Sequence, residues 1–267
     1  MQKNIKTADL QGVFYPSGKD ELNNLLEYLL TEGNRKKLFS SKIPKGIVVP
    51  HAGYAYSGSC AATAYNVLSH YVGNYDVVYI FGPSHQKYFD GLKTLTKEYY
   101  ATPLGDLQIA QQEITNLVDE DLLSMDDKVF EGEHSLEVQL PFIYKIFGKN
   151  IKIVPILVGN ASANDIVSIL YKMNEVERRL FIISSDLSHF LSLEEEQAVD
   201  QDTINNVEHL NNTLIDHGEA CGATALNGAI EYAKLEGLQA ENIDFKNSSE
   251  VSNDEDRVVG YASFLIY

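Results

Sequence analysis

Apolar runs of strand length recur along the chain at 46–50 (GIVVP), 75–81 (YDVVYIF), 151–158 (IKIVPILV), 180–184 (LFIIS) and 258–266 (VVGYASFLI). They are rich in Val and Ile and mostly continuous rather than alternating, the pattern of strands covered on both faces. Helical periodicity fills the gaps, at 58–70, 110–124, 135–147, 163–176, 193–210 and 222–236. In the first of these, Ala61, Ala64, Tyr65 and Leu68 fall at helical spacing. Ser192 is a candidate N-cap, and the acids that follow it suit the positive end of a helix dipole. The 222–236 helix is expected to stop near Gly237. The polar stretch 246–257 (KNSSEVSNDEDR) reads as a loop before the last strand.

Strands alternating with helices imply right-handed crossovers between neighbours. The expected fold is α/β, with a central, mostly parallel or mixed sheet flanked by helices. No internal repeat or low-complexity linker interrupts the pattern, so residues 1–267 are read as a single domain.

Composition narrows the function classes. Lys and Arg total 21 against 38 Asp and Glu, a formal net charge of −17. An acidic chain without a basic stripe repels phosphate backbones and anionic lipid, so neither nucleic acid nor a membrane is an expected partner. The first 22 residues contain no apolar stretch of the kind a secretory leader needs. No run approaches the roughly 18 apolar residues that span a bilayer. Two cysteines, Cys60 and Cys221, are too few for a disulfide framework, and the expected location is a reducing cytoplasm.

The candidate chemistry lies where the apolar runs end. His51 directly follows 46–50, His85 lies four residues past Phe81, and His189 follows 180–184 across SSDLS. Ligands of open α/β sheets bind at the carboxyl ends of strands. If the strands are parallel, the imidazoles share one rim, as either a metal site or an acid/base site. His134 and Glu137 in EHSLE stand at i, i+3, on one face if the segment is helical. Cys221 precedes a small-residue helix, a placement expected to lower a thiol pKa, and is a candidate ligand or nucleophile or else a small buried filler. Cys60 is expected in the core, and His70, His209 and His217 in solvent. The Walker lysine loop, GxSxG and HExxH are absent from the sequence.

The segments GVFYPSG, VVPHAGYAYSG, FGPSH, TPLGD, EHSLEVQLPF, VPILVG, SSDLSHF, ACGATAL and RVVGYASF occur in this order between about residues 12 and 265. In these motifs the chain resembles Memo-like proteins, also called the B component of the AmmeMemoRadiSam group. That family is similar in fold to the class III extradiol dioxygenases, non-haem iron enzymes that open catechol rings. The resemblance implies a metal pocket with His51, His85 and Cys221 as ligands. It implies His189 as an acid/base group with Asp186 beside it, and Phe14, Tyr54, His134 and Glu137 around the pocket. It also implies an unknown small-molecule substrate, with AMMECR-type and radical-SAM proteins as partners.

A dioxygenase centre uses two histidines and a carboxylate, which leave open positions on Fe(II). A thiolate in place of the carboxylate keeps the charge and softens the set, which also suits zinc or copper. Three functions follow as expectations. The first is an iron-dependent redox or dioxygenase-like enzyme. The second is a non-catalytic metal- or partner-binding protein with a vestigial pocket, and the third is a zinc-dependent hydrolase.

Overall fold

A computed structural model describes residues 4–34, 42–211 and 214–267; residues 1–3, read above for a leader, lie outside them. The main sheet runs, edge to edge, through Ile5–Lys6, Tyr99–Thr102, Gly105–Ile109, Lys152–Val158, Val77–Pro83, Arg179–Ser184, Gly46–Val49, Val258–Ile266 and His189–Leu191. Its centre is parallel: Val77–Pro83 lies between Lys152–Val158 and Arg179–Ser184, and the latter pairs with Gly46–Val49. Each of these strands is buried along nearly its whole length, as their unbroken apolar runs require. Full burial of each such Val, Ile or Phe side chain contributes about 1.5–3 kcal/mol.

The last strand departs from that rule. Val258–Ile266 runs antiparallel to Gly46–Val49, so the sheet is mixed. The reversal comes from Ala240–Asn247, which forms an antiparallel pair with it through the short helix Ser249–Ser252. The polar stretch 246–257 is therefore only partly a loop; its first residues close a strand.

Helices cover both faces: Lys19–Asn34, Tyr54–Ser69, Gln111–Asp119, Leu140–Phe147, Ala163–Asn174, Leu193–Glu208 and Ala223–Leu235. Ser192 caps its helix in a reciprocal box with Glu195, and Ser162 does the same with Asp165. The helix expected from residue 135 begins only at Leu140, with Pro141 in its first turn and a 3-10 turn at Glu137–Gln139 before it. His134 and Glu137 therefore do not share a helical face. No helix among the described residues is long and apolar enough to cross a membrane. Cys60 is fully buried, while His70, His209 and His217 are exposed.

Candidate metal centre

The parallel register sets the rim. Val49 lies beside Ser184, and Phe81 beside Ile183. The chain therefore leaves neighbouring strands at the same level, through Pro50–His51, Ser185–Asp186 and Pro83–His85. His51 is buried, with 1% of its surface exposed. Its Nε2 lies 3.2 Å from Cys221 Sγ. His51, His85 and Cys221 each offer a donor atom, and these atoms all lie within 4.8 Å of one another. Tetrahedral ligation by nitrogen and sulfur places donors roughly 3.5 Å apart, so the separations fit one ion.

Hydrogen bonds fix which nitrogen each imidazole presents. Ser184 Oγ donates its one proton to the Ser135 carbonyl oxygen at 2.5 Å and accepts from Gln139 Nε2 at 2.8 Å. His51 Nδ1, 3.1 Å from the same hydroxyl oxygen, must therefore be the donor there, which leaves Nε2 bare toward Cys221. His85 Nδ1 donates to Glu133 Oε1 at 2.9 Å, and His189 Nδ1 to the Leu187 carbonyl at 2.9 Å. All three rings thus hold Nδ1–H and free Nε2, the arrangement that orients a ligating or proton-carrying histidine.

Glu133 is the orienting carboxylate. It is buried and also accepts the backbone N–H groups of His85, Gln86 and Ser135. Burial alone would raise its pKa; the His85 ring and these N–H groups outweigh that and hold it down at about 2. A second group of donors, His85, Glu133 and His134, is equally close. There the Glu133 oxygens are already spent on N–H groups, so the first group is the better ion site.

Electrostatics favour neutral imidazoles at His51 and His134. Burial, with His85 and His134 nearby, lowers the His51 pKa well below the ordinary histidine value. Burial and His85 also lower that of His134. Cys221 corrects an expectation. The following helix starts at Ala223 behind Gly222, and burial together with the Asp186 carboxylate pushes the thiol up to about 12 rather than down. A cation among these donors reverses that sign, because coordination stabilises the thiolate.

The other anticipated residues fall into two groups. Asp186 accepts the His51 backbone N–H at 2.7 Å, and its second oxygen lies 4.0 Å from His189 Nε2. His134 stacks on His85, with ring centroids 4.5 Å apart, and Phe14 stacks on the outer face of His134 at the same spacing. Tyr54 and Glu137 are instead closed off by packing. Tyr54 donates to the Val138 carbonyl, while Glu137 accepts from the Asp9 and Leu10 N–H groups and the Tyr15 hydroxyl. Glu137 thus straps the N-terminal segment that carries Phe14. A cavity of about 460 Å³ opens beside the centre, lined in part by His85, Tyr88, Phe89, Asn160, His217 and Cys221.

Nothing in the sequence pattern assigns an orienting role to Glu133, Ser184 or Gln139. Glu133 was visible next to His134; its tie to a histidine 48 residues away was not.

A family model described as "Memo-like protein" matches residues 6–265. The chain belongs to the Memo-like family. It is similar to a MEMO1 family protein of Desulfurococcus amylolyticus, 33% identical over 96% of each chain. A MEMO1 family protein of Methanobrevibacter smithii is 32% identical over 97% of this chain and 98% of its own, and one of Aquifex aeolicus 30% identical over 98% of both. Membership accords with the α/β architecture and its relationship to the extradiol dioxygenase fold. Of the nine segments that resemble the family, five contain His51, His85, His134, His189 and Cys221.

Proposed function

We propose that this protein is a non-haem metal enzyme, with iron the leading metal, that carries out redox or dioxygenase-like chemistry on a small molecule. The observation that carries this reading is the convergence of one donor atom each from His51, His85 and Cys221 within 4.8 Å of one another, beside an open cavity. Bound there, a divalent metal supplies Lewis acidity and electron transfer at positions the three protein donors leave open. The chain's own residues supply the rest. His51 and His85 hold their rings fixed through Ser184 and Glu133. His189 keeps a free Nε2 to take or give a proton, with the Asp186 carboxylate placed to support its charged form. The Phe14–His134–His85 stack walls one side.

The sulfur donor favours a second reading, a zinc-dependent hydrolase with the same ligands and a metal-activated water. AMMECR-type and radical-SAM proteins are the partners proposed for either activity. The test is elemental analysis of protein purified without oxygen, beside His51→Ala and Cys221→Ala. Near-stoichiometric iron in wild type, lost in both variants, is expected; zinc in its place moves the assignment to the hydrolase. Metal content unchanged in Cys221→Ala would overturn the ligand set. His189→Ala is expected to keep the metal and lose turnover.

A further inference from the structure

Behind His189 lies a cluster that the metal chemistry does not use. Glu196 and Asp200 stand one turn apart on the helix Leu193–Glu208 and face Gly260 of the last strand. Both are fully buried. Glu196 Oε2 accepts from Asn247 Nδ2 at 3.3 Å, and Asp200 Oδ1 from the Ser188 N–H at 3.0 Å. The remaining oxygens, Glu196 Oε1 and Asp200 Oδ2, have no hydrogen-bond donor and no contact with solvent. These are the two oxygens that meet above Gly260. A methyl group added there would collide with Asp200 Oδ2 and stand 3.0 Å from Glu196 Oε1. Among the described residues, no cationic side chain forms an ion pair with either carboxyl group.

Two adjacent carboxylates without a counter-charge do not both stay ionised in a dry interior. A proton between them gives each unpartnered oxygen a partner and needs no empty space, which a metal ion would. The Ser188 hydroxyl, also buried and unpartnered, lies close to Asp200. Burial and Asp200 push the Glu196 pKa up to about 8, and burial raises that of Asp200. The other groups that face the pair are His189, Asn247 and Glu250.

The cluster grips the segment that carries His189. Asp200 holds the Ser188 N–H, the Ser188 carbonyl accepts from Gly260 N at 3.0 Å, and Leu187 N donates to the Gly260 carbonyl at 2.9 Å. Immediately beyond His189 the chain bulges at Phe190, which takes a left-handed φ of +59°. Bulky residues rarely adopt that conformation unless their surroundings impose it. We propose that Glu196 and Asp200 hold a single proton between them and together form the anchor that positions His189. The inference rests on the reading of His189 as a proton-transfer group, and Glu196 and Asp200 are positioning residues within it.

Two measurements on the metal-free protein test it, so its failure is distinguishable from failure of the metal assignment. Side-chain carboxyl ¹³C resonances of wild type, followed from pH 5 to 8, are expected to show one bound proton in the pair at pH 7. Two ionised carboxylates, or two protonated ones, would overturn the shared proton even if no variant folds. Imidazole ¹⁵N shifts then report the His189 tautomer. Wild type and Glu196→Gln, which retains a hydrogen-bond donor for Asp200, are expected to show the Nδ1–H form alone. Glu196→Leu is expected to show a mixture of tautomers. A Glu196→Leu protein that folds and keeps the pure Nδ1–H form would overturn the positioning role.

Discussion

Replacing Glu133 by Gln removes the charge that accepts the His85 ring proton while keeping the shape of the side chain. Outer partners of this kind typically change metal affinity 10–100-fold. Titration of wild type and Glu133→Gln with Fe(II) or Zn(II) is expected to show a loss in that range, and equal affinities would remove Glu133 from the centre. The histidines themselves were legible, because each follows an apolar run too continuous to be anything but a buried strand. Their orienting partners were not. Ser184 is 133 residues from His51 in the chain, and its role depends on a hydroxyl proton already committed to Ser135. Cys221 was readable as a site residue but with the wrong electrostatic sign. A cap position was inferred from sequence, whereas burial and Asp186 decide the outcome.

At the scale of elements, the segment around Phe14 depends on Glu137, a buried side chain that accepts three hydrogen bonds from residues 9, 10 and 15. Glu137→Ala leaves those donors without partners, at a cost of about 2–4 kcal/mol. Amide exchange is expected to quicken at residues 9–15 while the central strands keep their protection; uniform loss of protection would mean that the strap is part of the global core. The long apolar strands could be read to within two residues, since continuous Val and Ile runs have few alternatives. Tyr99–Thr102 and Gly105–Ile109 were missed because they are short and only half-buried, with alternation that a turn between them interrupts. The strand Ala240–Asn247 was hidden by its polar residues, which lie on a sheet margin rather than in the centre.

For the molecule as a whole, the buried acid pair predicts how stability depends on pH. The Glu196 pKa is raised in the folded state, so the native protein holds a proton that the unfolded chain releases between the ordinary Glu value and about 8. Stability from this group is therefore full below that window and falls as pH rises through it, by at most about 1.4 kcal/mol per pH unit. His51 and His134 are lowered and act in the opposite sense below the ordinary histidine value. The clean quantity is a difference. Denaturant midpoints of wild type minus Glu196→Gln are expected to fall steadily from pH 5 to 8, and a flat difference would assign the proton elsewhere. The α/β class was legible at this scale because strand and helix periodicities alternate. The antiparallel return of the last strand was not, since it depends on pairing with a segment that reads as polar.

The parallel centre also separates the two ends of the sheet. Val77–Pro83 runs seven residues, about 23 Å at roughly 3.3 Å each, from the rim that carries the imidazoles to the turns around Gly73 and Arg178. Those turns are exposed and tied mainly to each other, through the paired bonds of Arg178 to Asp76. A dye, an affinity handle or a covalent link to a solid support attached there would leave the mouth of the cavity facing free solution, with the full depth of the sheet between tether and sulfur.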